Sequence, residues 1–177
     1  MRKLIPLFLA AAALSGQDLK IPLNIDKLAS KAVESVDVAL DSSMLQLAGK
    51  FLSDKKPEEA EARRLINGLK GIYVRSFQFA KPGEYAAVDV EALRAQLKSP
   101  LWSRIVGVRS QREGENADIF LKTESSQITG LAIIAANPKE LTIVSIVGSI
   151  NPEDLSRLGG QFGIPRVEVA PPKGEKK

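Results

Sequence analysis

Any acid–base, nucleophilic or metal chemistry in this chain must come from carboxylates, lysines and tyrosines, because its 177 residues include no His and no Cys. That removes thiolate nucleophiles, Cys/His zinc sites, imidazole bases and Ser-His-Asp triads together. The paired acids that remain have structural explanations. Asp41 is placed to cap a helix, Asp37 lies in the strand before it, and Asp89, Glu91, Glu153 and Asp154 stand at helix starts, where the dipole favours negative charge. No acidic run has the spacing of a calcium loop, and Gly159–Gly163 follows a helix pattern rather than a strand, so it reads as a helix stop and not a phosphate cradle. No catalytic, cofactor-binding or metal-ligating residue is assigned, and the sequence leans away from an enzyme.

What remains is a recognition surface. Ser125-Ser126 is a two-residue turn, which sets Glu124 opposite Gln127. In that register Ile119, Leu121, Gly130, Ala132 and Ile134 share a covered face, and Asp118, Phe120, Lys122, Thr129 and Leu131 share the other. With Ser110 opposite Ala117, Arg109 lies across from Asp118 on that second face. Arg75 joins it if its strand runs alongside. Arg75, Arg109, Asp118, Phe120, Lys122, Thr129 and Leu131 are therefore the candidate contact patch for a protein partner, against the alternative that the tail, a loop or a further helix covers Phe120 and Leu131.

The elements that position this patch follow from apolar periodicity. Ser103–Ser110, Ala117–Thr123, Gln127–Ala136 and Leu141–Gly148 are four Val/Ile/Leu/Thr-rich runs separated by short polar breaks. Breaks this short make hairpins, since a parallel crossover needs about a dozen residues or more. The expected centre is a four-stranded antiparallel meander. Before it, helices are expected from Asn24 to Glu34, from the Asp41 cap to Leu52, from Pro57 to Gly71 and from the Asp89 cap to Lys98. Met44, Leu45, Ala48, Phe51 and Leu52 read as the core face of the second helix, and Glu59–Arg63 as a solvated pair worth about 0.3 kcal/mol. Strands are expected at 36–40 and 72–79, with a parallel pairing between them left open, and Trp102 is expected at a seam between helix and sheet. A last helix is expected over Pro152–Leu158. The fold class is α+β: an antiparallel, or mixed, sheet built on the 103–148 meander with helices layered on one face.

Residues 1–16 read as a secretory signal: Arg2-Lys3, then the short apolar run Leu4–Leu14, then small residues, with cleavage after Ser15 or Gly16. Gln17 stands where a lipobox would need Cys, so a lipoprotein anchor is excluded, and no other run is long enough for a membrane helix. The expected location is periplasmic or secreted. Residues 17–170 read as one domain and 171–177 as a disordered basic tail. Of 25 basic and 21 acidic side chains, leader and tail hold the surplus, and residues 17–170 carry 20 of each. A neutral body lacks the footprint of a nucleic-acid binder.

Several segments in order resemble one bacterial family, domain of unknown function 4252 (DUF4252). They are Asp41-x-x-Met44-Leu45, Gly68–Phe77, Pro100–Val106, Ile128–Ala135, Leu141–Gly148, Pro152–Leu158 and Phe162–Pro165. The resemblance implies an exported envelope protein with no established activity and no catalytic residues to carry over. It also implies an association with extracytoplasmic sigma and membrane anti-sigma factors, hence envelope signalling. Two functions are weighed. One is a non-catalytic binding or adaptor module contacting another envelope protein. The other is a small-molecule or lipid carrier, or a hydrolase, with a pocket between sheet and helices.

Overall fold

The computed structural model describes residues 23–151 apart from Ser99 and Glu113. The signal segment, the 152–158 helix, the Gly159–Gly163 stretch and the tail lie outside the described residues. The described chain is α+β, with a six-stranded antiparallel sheet in the order β1-β2-β6-β5-β4-β3. The strands are β1 (Glu34–Asp41), β2 (Leu69–Gln78), β3 (Trp102–Arg109), β4 (Asn116–Glu124), β5 (Gln127–Asn137) and β6 (Glu140–Ile150). The helices are α1 (Leu23–Asp26), which runs on into a 3-10 turn (Lys27–Ser30), α2 (Ser42–Lys50), α3 (Pro57–Gly68) and α4 (Ala87–Gln96). The β3-β4-β5-β6 meander is present as the sequence suggests. The β1–β2 pairing is antiparallel, not parallel, with Asp37 opposite Arg75.

Helices cover both faces of the sheet, not one. On the first face, Ile25 and Leu28, with Val90, Leu93 and Leu97 from the α4 region, pack on Phe77, Ile134 and Ile143. On the second, Leu45 of α2 and Leu65 and Ile66 of α3 pack on Ile133, Val144 and Ile146. Trp102 is buried in the first layer, at the expected seam, and Gly130 leaves room for its ring.

Local chemistry explains most element ends. The Asp41 carboxylate accepts from the N–H groups of Ser43 and Met44, both at 2.9 Å, capping α2. Pro57 opens α3 with Glu58 and Glu59 in its first turn. Asp89 does not cap α4. Ala86 stands at the N-cap position without a side-chain hydrogen bond, and the Asp89 carboxylate accepts from the Ala86 N–H at 3.2 Å, one half of a capping box. The first helix ends at Ser30, not Glu34, because Glu34 pairs with Gln78 at the start of β1.

Register holds the largest departure. Glu124 faces Gln127 as expected, and Ser125 and Ser126 have φ of 50° and 65°, a left-handed pair that suits the twist of a two-residue hairpin. Beyond Thr123↔Ile128, however, the next pair is Lys122↔Gly130. Thr129 is an extra residue on β5, and one extra residue flips the alternation past it. Phe120 thus opposes Ala132, not Leu131, and turns into the α4 layer. A second irregularity at Ile105 puts Val108 opposite Ala117 and Arg109 opposite Asn116, so Ser110 does not face Ala117.

Two substitutions of opposite sign test these backbone features. Gly148 has φ 137°, and a Cβ there would lie 2.5 Å from the Gly68 carbonyl oxygen. Gly148→Ala is expected to cost about 2 kcal/mol or more. Ser126→Gly relieves a left-handed non-glycine residue and is expected to add about 1 kcal/mol. Urea unfolding of both variants checks the pair of signs.

Candidate functional site

The expected contact patch does not form one exposed face. Asp118, Phe120, Lys122 and Leu131 are all buried. Phe120 belongs to the α4 layer and Leu131 to the α3 layer, because the Thr129 bulge separates them. Arg75 stands on β2, three strands from Asp118 on β4 and roughly 14 Å away at ordinary strand spacing. It pairs instead with Asp26 at 3.1 Å and Asp37 at 3.0 Å. Lys122 pairs with Glu124 at 3.1 Å.

One pair of that patch does meet. Arg109 Nη2 donates to both carboxylate oxygens of Asp118, at 2.8 and 2.9 Å. Asp118 is also the hub of a larger cluster that sequence reasoning missed. Arg94 Nε of α4 donates to its Oδ2 at 2.7 Å, and Arg104 Nη1 of β3 donates to its Oδ1 at 3.2 Å. The Asp118 side chain is 0 % exposed, so each oxygen must find its donors within the protein. Four donor contacts fill the four acceptor positions of a carboxylate. Gly107, directly opposite Asp118, makes this reach possible: the Arg104 guanidinium lies where a side chain would stand, 3.3 Å from the position of a Cβ. Arg94 was the available signal. It sits between Leu93 and Leu97 on the inward stripe of its helix, where a charge must have a partner.

The electrostatics keep Asp118 ionised. Burial opposes its ionisation, but the hydrogen bonds and charges of Arg109 and Arg94 outweigh burial and hold its pKa below the ordinary carboxylate value. Arg94 is shared with Glu91 at 2.5 Å, leaving three guanidiniums against two carboxylates and one surplus positive charge. Beside Arg94 is a cleft of about 250 Å³, lined also by Tyr85, Val90, Asn116 and Asn137. The Tyr85 hydroxyl donates to the Asn137 carbonyl, and burial raises its pKa, so it stays protonated at neutral pH. The cleft is below the usual range of ligand pockets, about 300–1,000 Å³. Among the described residues, no three His, Cys, Asp or Glu side chains cluster to hold a metal.

The second candidate surface lies on α2. Met44 and Phe51, expected in the core, are 51 % and 80 % exposed, and Leu47 between them is 50 % exposed. The inward face of α2 is instead Leu45 and Gly49, with Gly49 lying against Ile66 of α3. Arg63 of α3 fixes this orientation: it donates to the Gly49 carbonyl at 3.1 Å and to the Leu52 carbonyl, satisfying the open end of α2. Its ion pair is with Asp54, and Glu59 pairs with Lys56, so the expected Glu59–Arg63 pair is absent. With Leu45 turned in, the Met44, Leu47 and Phe51 stripe faces outward. Among the described residues, no helix is long and apolar enough to cross a membrane.

Asp118→Ala is expected to cost about 3–5 kcal/mol, since it strands partly buried Arg94, whereas Arg104→Ala, at a largely exposed side chain, should cost under about 1 kcal/mol. The folded pKa of Asp118 lies below the unfolded value of about 3.9. Its stabilisation is therefore complete above that value and lost as pH falls through the lower folded one. Melting curves from pH 7 to pH 2 should show the advantage over Asp118→Ala shrinking below about pH 4.

The sequence profile of one family, domain of unknown function (DUF4252), matches residues 29–158. No curated protein and no solved structure matches the chain. The match spans most of the sequence and both helical layers, and the chain belongs to the DUF4252 family.

Proposed function

We propose that this DUF4252 protein is an exported, non-catalytic protein-binding module of the bacterial envelope, with a contact surface centred on Met44 and Leu47 of α2 and on Phe51 at its C-terminal cap. The observation that carries the reading is the exposure of these three side chains along one stripe, with Phe51 the most exposed of the large apolar residues described. An apolar stripe of this kind, on a fold whose central strands are covered on both faces, fits an interaction site. Aromatic and Met side chains are the types enriched at such sites. Export rests on the leader at residues 1–16, and placement outside the lipoproteins on Gln17. The partner is an envelope protein, and a membrane anti-sigma factor fits the association of the family with extracytoplasmic sigma systems. The carrier or hydrolase reading is less favoured, because the cleft beside Arg94, about 250 Å³, is smaller than the usual ligand pocket.

A photo-crosslinking residue at position 51, introduced into the protein in its native host, tests the reading. The expected result is one dominant crosslinked envelope protein. It should be lost on Leu47→Asp, with melting temperature unchanged within a few degrees, as suits an exposed position. A chain found in the cytoplasm with Met1 intact, no crosslink, or a large fall in melting temperature on Leu47→Asp would contradict it.

A further inference from the structure

Among the described residues, no strand pairs with the outer side of β1 or of β3, the two terminal strands of the sheet. Each is eight residues long. An open edge presents a row of N–H and C=O groups that will pair with another strand unless charge or shape prevents it. Here the two edges carry opposite charge. β1 holds Glu34, Asp37 and Asp41 and no base, while β3 holds Arg104 and Arg109 and no acid. Pairing β1 with β1, or β3 with β3, would bring like charges together, which is unfavourable. Pairing β1 with β3 brings opposite charges together.

Direction and register fit as well. Every neighbour in the sheet is antiparallel, so β1 and β3 run in opposite senses. A second copy set beside the first in the same orientation therefore presents its β1 antiparallel to β3, with each sheet face continuous across the junction. Followed across the sheet, Asp37 is level with Arg75, Ile143, Ile134, Asp118 and finally Gly107. By the same route Val36 is level with Val108, and Val38 with Val106.

We propose that the chain self-associates head to tail, β1 of one copy adding to β3 of the next. The regular stretch Val106–Arg109 then lies opposite Ser35–Val38, beyond the irregularity at Ile105. Asp37 enters across from Gly107, between Arg104 and Arg109, the place that Asp118 holds on the inner side of β3. Its Oδ1 already accepts from Arg75 at 3.0 Å, and its side chain remains more than half exposed. On the other face Val36 and Val108, now 43 % and 48 % exposed, cover one another. The surplus positive charge of the arginine cluster and the exposed valines at both edges share this one explanation. The contact is heterologous, so it leaves one free edge of each kind and continues to a ring or a filament. It uses a different surface from the α2 stripe and does not depend on that reading.

Sedimentation velocity of the chain, purified as its host produces it, tests the inference over a range of concentrations at low and high salt. The expected result is a larger species that grows with concentration and recedes as salt screens the edge charges. Val36→Lys and Val108→Glu should each weaken association about tenfold or more without moving the melting temperature by more than a few degrees. An equimolar mixture of the two variants should associate again, because every junction can then set the introduced lysine against the introduced glutamate, or Val36 against Val108. A chain that stays monomeric at every concentration would overturn the proposal, as would association that neither substitution weakens.

Discussion

The arrangement depends on a single extra residue in β5. In a sheet buried on both faces, a one-residue slip exchanges every side chain between two different cores. Thr129 makes that exchange partway along the strand. On the turn side of it, Glu124 faces Gln127 in the register that Ser125-Ser126 imposes. Beyond it, Phe120 joins Ala132 and Ile134 under α4, while Leu131 and Ile133 join Leu65 and Ile66 under α3. Both layers are apolar, so both registers bury hydrophobic area. The asymmetry comes from Asp118, on the same face as Phe120. Only the α4 layer offers it Arg94.

Burying Asp118 is costly unless its oxygens are filled, and three arginines fill them. A buried ion pair of this kind contributes little net stability against an apolar replacement, but breaking it strands a charge. Its effect is on the rest of the fold. It pins α4 to β4 through Arg94, and it holds the side chains of Arg104 and Arg109, the two bases of the outer strand β3. At the other helical layer Arg63 has a similar positioning role, holding the end of α2 so that Leu45 faces in and Phe51 faces out. Both proposed interaction surfaces therefore trace to arginines that satisfy buried or terminal groups.

Much of this was legible from residue types. The meander followed from four apolar runs and short breaks, the hairpin from Ser125-Ser126, the start of α2 from Asp41 and the start of α3 from Pro57. The Arg109–Asp118 contact was also anticipated, though Arg109 reaches it diagonally, from opposite Asn116. The bulge was not legible, because Thr129 is a β-branched residue that suits a regular strand and carries no local mark of an insertion. Without it the faces of β4 and β5 were misassigned, and whether Phe120 lay at the surface or under a further helix stayed open. The orientation of α2 was hidden for a related reason. The helix has apolar residues on two sides, and the side that packs carries Leu45, while Met44 and Phe51 face out. Ion pairing was misjudged where a neighbouring residue in space outcompeted one four positions away, as with Arg63.

The central claim is that β5 changes register at Thr129, which sets the two cores on opposite faces of the central strands. Nuclear Overhauser contacts from the Phe120 ring test it most directly. The account predicts contacts to the methyl of Ala132 and to the side chains of the α4 layer, Leu93 among them. Contacts from Phe120 to Leu131, with Leu65 or Ile66 beyond it, would show an uninterrupted register and contradict the account.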